Sequence, residues 1–203
     1  MKATTLSRRE RKKNELRERI YRTALKLFRT RGFDDTRIED ITEEVDISRN
    51  TFFNYYATKD GILHEIARRT VSYYEKMLEK ELESSDPVTV KIKRLLVQMG
   101  RNIQKEKDFY RAIFVEIMRS QVGLVQEEKE YTTIDELLGA LLRQGQRRGE
   151  IDDTLDPYQL SEMLTGIYFL SIIHWLNSKK PYSISKRLSA AAGIFLKGCL
   201  ADE

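Results

Sequence analysis

Cysteine, histidine, proline and glycine are all scarce in this chain of 203 residues. Cys199 is the single cysteine, so no internal disulfide can form, which fits a reducing cytosol. The two histidines, His64 and His174, lack a Cys, Asp or Glu partner at a metal-ligand spacing. No glycine-rich loop of the phosphate-cradling kind occurs, and Cys199 has no flanking histidine. Enzymatic chemistry therefore finds no support, and neither a metal nor a cofactor is expected. Three prolines and ten glycines are too few for a sandwich or barrel, whose strands need a turn roughly every 8–12 residues. The longest uncharged stretch, Met163 to Ser178, holds Thr165, Ser171, His174 and Asn177 and is short for a membrane span. The opening residues are polar and basic and carry no apolar signal core. What remains, 40% apolar and 33% charged, is the balance of a soluble, cytoplasmic, all-α protein.

The net charge of +4 is modest, but it is unevenly placed. Met1–Arg31 holds twelve Lys and Arg against Glu10, Glu15 and Glu18, a net of +9, which leaves −5 for the rest. Such asymmetry suits a basic N-terminal segment that meets a polyanion. An ordinary solvated helix face would give the same count, so charge alone does not choose.

Hydrophobic spacing supplies the architecture. Leu16, Ile20, Ala24, Leu27 and Phe28 form one apolar stripe on a helix from Arg8 to Arg31, which Gly32 ends. Thr36-Arg37-Ile38-Glu39 has capping-box spacing and predicts a short second helix with Ile38, Ile41 and Val45 inward. Asp46 tolerates the left-handed region of a tight turn, and Ser48 is a good N-cap for a third helix. On that helix Phe52 and Tyr56 continue the apolar stripe of Ile47, and Arg49, Asn50, Phe53 and Asn54 face the other way. Thr58-Lys59-Asp60 opens a fourth helix to about Glu83. Five further helices are expected near 88–105, 108–122, 126–148, 157–177 and 184–200, about nine in all, with no strand. Two short helices joined by a tight turn, after a longer one, form a helix-turn-helix.

These residues resemble the TetR family of bacterial transcriptional regulators. The likeness rests on Ile20, Ala24, Leu27-Phe28, Gly32-Phe33, Thr36, Ile38-Glu39-Asp40-Ile41, Val45, Ile47-Ser48, Thr51 to Tyr56, Lys59 and Leu63, about the first third of the chain. Asp46, Thr42 and Asn50 depart from the usual turn glycine, small alanine and frequent glycine. The expected domains are a helix-turn-helix DNA-binding domain over residues 1–59 and a helical effector-binding and dimerisation domain over 60–203. The first includes a basic arm over 1–15 and the helix-turn-helix proper at about 36–56.

In the major groove Arg49 can pair with guanine O6 and N7, and Asn50 or Asn54 with adenine N6 and N7. Phe53 can cover a thymine methyl or add to the core. The resemblance implies that Tyr55 and Lys59 grip phosphates, assisted by Ser48, Thr51 and Arg37. Arg8, Arg9, Arg11, Lys12 and Lys13 lie along the duplex or form a frayed terminus.

In the later helices, Met163 to Leu176 is apolar nearly all round and must be buried on more than one side. With Leu188, Ala191, Ala192, Phe195 and Cys199 it suggests a two-fold homodimer through the last two helices, as in the family. The family also implies an unidentified small-molecule effector. Tyr74, Met77, Met99, Tyr110, Phe114, Met118, Tyr168 and Trp175 are candidate pocket residues, with plain core as the competing reading. The function expected is a sequence-specific regulator on double-stranded DNA, a repressor released from a near-palindromic operator by a ligand. The alternative is a DNA-anchored interaction protein whose helical domain binds a protein partner.

Overall fold

The computed structural model describes residues 7–121 and 134–200, with the backbone alone over 116–121. Among these residues nine α-helices occur: α1 (Arg8–Arg31), α2 (Ile38–Val45), α3 (Arg49–Phe53), α4 (Lys59–Glu83), α5 (Val88–Gln104), α6 (Lys107–Gln121), α7 (Ile134–Arg147), α8 (Pro157–Asn177) and α9 (Ile184–Lys197). No strand occurs among them; a single antiparallel bridge joins Ile151 and Leu200. The expected helix start at 126 lies outside the described residues. The chain divides into two compact units, Met1–Ala67 with Asp108–Met118, and Arg68–Lys107 with Arg119–Glu203.

The first unit is built on α1. Ser7 caps it: its hydroxyl accepts from the Glu10 N–H at 3.2 Å while the Glu10 carboxylate accepts from the Ser7 N–H at 2.8 Å. This reciprocal box keeps the basic start helical from Arg8, although residues 7–15 are all exposed. Ile20, Tyr21, Ala24, Leu27 and Phe28 are the buried face, and Gly32 at φ +93° closes the helix. Against that face lie Ile41 and Val45 of α2, Phe52, Tyr56, and Ile62, Leu63, Ile66 and Ala67 of α4. Phe109 and Ile113 of α6 complete the same core. The expected boundary after residue 59 is thus displaced: the first turns of α4 and part of α6 bury their apolar side chains with α1–α3. Burying a side chain of this size stabilises by about 1.5–3 kcal/mol, which outweighs any chain-order preference.

The cap of α2 also differs from the expectation. Thr36 is wholly buried and its hydroxyl donates to the Gly32 carbonyl at 2.7 Å. The helix starts two residues later than expected, with Arg37 as N-cap and the Asp40 carboxylate accepting from the Arg37 N–H at 2.7 Å. This leaves Glu39 out of the cap. Asp46 does take the left-handed conformation (φ 57°, ψ 60°) between α2 and α3.

In the second unit α5 packs closely on α9. A Cβ at Gly100 would lie 2.9 Å from the Ser185 Cα, so this crossing requires glycine. Lys91 of α5 is fully buried; its ammonium donates to the Ser84 carbonyl and, at 2.8 Å, to Gln144 Oε1, and burial pushes its pKa down. On α8, Leu164, Tyr168, Ile172 and Trp175 are buried, whereas Met163, Leu170 and Ile173 are exposed. On α9 the expected interface residues Leu188 and Ala192 turn inward, as does Cys199 just beyond the helix, and Ile194 is the exposed apolar residue of α9.

Candidate nucleic-acid interface

Helix α3 is positioned by its inward residues. Phe52 is fully buried and Tyr56 nearly so, and Ile47 packs against the same core. Ser48 caps the helix: its hydroxyl accepts from the Thr51 N–H at 3.0 Å and shares a 2.8 Å hydrogen bond with the Thr51 hydroxyl. With that face fixed, Arg49, Asn50, Phe53 and Asn54 are exposed together, as are Ser48 and, at the start of α2, Arg37. Thr51 and Tyr55 are half-buried, Tyr55 packing against the core. The helix is shorter than expected and ends at Phe53, with Asn54 as its C-cap.

The Tyr56 hydroxyl anchors the segment after α3. It donates to Glu65 Oε2 at 2.8 Å, and Arg17 donates to the same oxygen from Nη2 at 2.9 Å and Nε at 3.2 Å. The Arg17 guanidinium also lies 5.2 Å from the centroid of the Tyr56 ring. Burial, then the Glu65 carboxylate, push the phenol's pKa well above its usual value. Outside the core, the Arg49 Nη1 lies 2.8 Å from Glu39 Oε1, and its guanidinium carbon is 5.8 Å from the centroid of Phe53.

Lys59, expected at a phosphate, makes contacts within the protein. Its Nζ donates to the Phe33 carbonyl at 2.6 Å and the Thr36 carbonyl at 2.9 Å, and lies 4.2 Å from the Phe33 ring centroid. Two of the three N–H groups that could grip a phosphate are thus committed to the loop between α1 and α2. In this structure Lys59 clasps the loop, with one N–H left over.

The candidate pocket residues fall in both units. Tyr74, Met99, Tyr168 and Trp175 are buried in the second unit, and Met77 is half-buried there. Tyr110 and Phe114 belong to the first unit, where Tyr110 packs against the core. The Met118 side chain lies outside the described residues. Trp175 is held at the α8–α9 corner: its indole N–H donates to the Tyr182 carbonyl at 3.1 Å, and Lys107 lies 5.2 Å from its ring and donates to the Ser178 carbonyl at 3.0 Å. Sequence reasoning missed Glu39, and it missed two buried hydroxyls of the second unit, Thr165 Oγ1 and the Tyr182 phenol, which have no hydrogen-bond partner in the described structure. Among the described residues no cluster of three metal-ligating side chains occurs, and no helix is long and apolar enough to cross a membrane.

A capped helix with exposed polar and basic side chains, braced through a left-handed turn by a second helix, is a helix-turn-helix arrangement. The family model of bacterial regulatory proteins, tetR family, matches residues 20–66, the segment that runs from α1 through α3 into α4. It is 29% identical over 143 residues to the uncharacterized HTH-type transcriptional regulator YuxN of Bacillus subtilis, covering 68% of this chain and 44% of that protein. The chain thus spans less than half the length of that curated relative. It is also 19% identical to the fatty acid metabolism regulator protein of Bacillus subtilis over 88% of this chain and 93% of that one. Among solved structures, FadR of Thermus thermophilus, a TetR family transcriptional repressor in complex with lauroyl-CoA, matches with a TM-score of 0.75 and 24% identity, over 92% of this chain and 96% of that one.

Proposed function

We propose that this chain is a sequence-specific DNA-binding homodimer of the cytoplasm that represses transcription and leaves a near-palindromic operator when a small molecule binds. The observation that carries the reading is the exposure of Arg49, Asn50, Phe53 and Asn54 on one side of α3, whose opposite side is fixed by the buried Phe52. Arg49 suits guanine, the two asparagines suit adenine and Phe53 suits a thymine methyl. Ser48, Thr51, Arg37 and Tyr55 contribute hydroxyl and charge contacts to phosphates.

Dimerisation is supported by the apolar face that α8 leaves open. Met163, Leu170 and Ile173 are exposed at helical spacing, and Ile194 of α9 is 77% exposed. A second copy would cover such a face in a self-complementary way. An effector is supported by the unpartnered hydroxyls of Thr165 and Tyr182, since buried polar groups normally have a partner. An acyl-CoA thioester is the first candidate, on the likeness to the lauroyl-CoA-bound repressor.

Selection from random duplexes, followed by native mass spectrometry of the complex, tests this reading. A palindromic consensus bound by two copies, released on adding lauroyl-CoA, is expected. Absence of any consensus would remove sequence-specific regulation. A consensus without small-molecule release would favour the alternative, in which the α8 face takes a protein partner.

A further inference from the structure

The outer surface of α2 and α3 carries an arrangement that the reading above leaves unused. Glu39 sits in the first turn of α2, with the cap formed by Arg37 and Asp40 on either side of it. Its carboxylate holds Arg49 Nη1 at 2.8 Å, across the turn between the two helices. Phe53, one turn along α3, lies under the same guanidinium and is braced edge-on against the buried Phe52, with ring centroids 5.7 Å apart. The guanidinium is therefore fixed at one edge by a carboxylate and on one face by an aromatic ring.

The pair is hard to explain by stability. The Arg49 and Glu39 side chains are 65% and 49% exposed, and exposed ion pairs contribute at most about 1 kcal/mol. A carboxylate on a surface that meets DNA also repels phosphates. Its value lies in what it does to Arg49. An unpaired arginine on the surface binds any phosphate; one whose charge is offset by a carboxylate loses most of that attraction. Engagement at Nη1 leaves the Nε and Nη2 edge in the planar fork that guanine O6 and N7 accept. When the duplex excludes water, the lower dielectric strengthens the Glu39–Arg49 contact and stiffens the fork.

We propose that Glu39 is a specificity-determining residue: it positions Arg49 for one guanine and denies it to the phosphate backbone. Glu39 acts through Arg49 and is a positioning residue, and the proposal rests on the reading of α3 as the recognition helix.

The test uses the full chain and the duplex obtained by selection. Wild type, Glu39→Ala, Glu39→Gln, Arg49→Ala and the double variant Glu39→Ala/Arg49→Ala are titrated by fluorescence anisotropy. Targets are the selected duplex, its single-base changes and a random duplex, at several salt concentrations. Wild type is expected to prefer guanine at one base pair, and Arg49→Ala to lose that preference alone. Both Glu39 variants should reduce the preference by about fivefold to tenfold, a fraction of the value of a bidentate pair. They should also bind random duplex several-fold tighter, with a salt slope steeper by about one as Arg49 turns to phosphate. The double variant should match Arg49→Ala in its preference at that base pair. Circular dichroism and thermal midpoints within about 3 °C of wild type would show the variants folded, as surface changes of this kind usually are. If Glu39→Ala and Glu39→Gln keep the full guanine preference shown by wild type, the proposal is wrong and the recognition-helix reading stands. If wild type prefers no base at any position, the recognition-helix reading itself fails and takes the proposal with it.

Discussion

The Lys59 ammonium lies 2.6 Å from the carbonyl oxygen of Phe33 and 4.2 Å from the centroid of the same residue's ring. One side chain thus grips one residue twice, and through the Thr36 carbonyl at 2.9 Å it also holds the turn leading into α2. The placement of α2 depends on that loop, so on the proposed function Lys59 would act on DNA binding from behind.

Lys59→Met should therefore lower stability more than it changes electrostatics. Hydrogen bonds from a charged donor are worth about 1.5–3 kcal/mol, and each kcal/mol moves the midpoint of a chain this size by roughly 2–4 °C. Thermal denaturation should show a fall of several degrees, while the slope of log affinity against log salt stays within about half a unit of wild type. A slope reduced by about one, with an unchanged midpoint, would return Lys59 to the phosphate backbone.

Tyr56, Glu65 and Arg17 form one hub between α1, the segment after α3, and α4. Tyr56→Phe removes one hydrogen bond and leaves Glu65 with Arg17, so a loss of about 1 kcal/mol is expected. Arg17→Met leaves a buried carboxylate without this cation and removes the stacking on Tyr56, and it should cost more, by about 1–2 kcal/mol beyond Tyr56→Phe. Urea denaturation of the full chain ranks the two. The reverse order would mean that the phenol, and not the guanidinium, compensates Glu65.

The helices were legible because their signals are local. The Ser48 cap, the left-handed Asp46 and the apolar stripe of α1 are each fixed by neighbours a few residues away. What eluded the sequence depends on distant contacts. Thr36-x-x-Glu39 and Arg37-x-x-Asp40 have the same spacing, and the second forms because the Thr36 hydroxyl is buried against the Gly32 carbonyl. Phe109 and Ile113 follow the first unit by some forty residues and still join its core, which no periodicity could announce. Lys59 and Glu39 were legible as charged residues near the candidate interface; their partners, two backbone carbonyls for Lys59 and an arginine ten residues on for Glu39, were not.

Asp40 gives the first unit an acid-sensitive point. Its carboxylate accepts from the Arg37 N–H at 2.7 Å and faces Arg31 Nη1 at 3.1 Å, and these hold its pKa below the ordinary aspartate value, the backbone hydrogen bond being the larger cause. A group whose folded pKa is lowered stabilises the fold above its unfolded pKa, near 3.9 for aspartate, and loses that contribution as pH falls through the folded value. The effect of Asp40→Asn on the urea midpoint should thus be largest above about pH 5 and shrink steadily toward pH 3. A difference that is constant across this range would mean that Asp40 caps α2 equally well when protonated.

On the proposed function the start of α1 would meet the DNA in a different way. Arg8, Arg9, Arg11, Lys12 and Lys13 are all exposed on a helix that Ser7 and Glu10 cap, and the first buried residue of that helix is Ile20. These turns therefore have no packing role within their own unit, and their cations are displayed on a stiff rod instead of a loose arm. Each phosphate they neutralise should contribute about 0.9 to the salt slope and nothing to base preference. Replacing Arg8, Arg9, Lys12 and Lys13 together by glutamine keeps helix propensity and should flatten the slope by roughly two to three. The consensus from random-duplex selection should remain the same. Ser7→Ala should produce part of that loss, since removing an N-cap costs about 1 kcal/mol of helix stability and loosens the rod. A slope unchanged in the fourfold variant would mean that these cations face only solvent and that α3 alone meets the duplex.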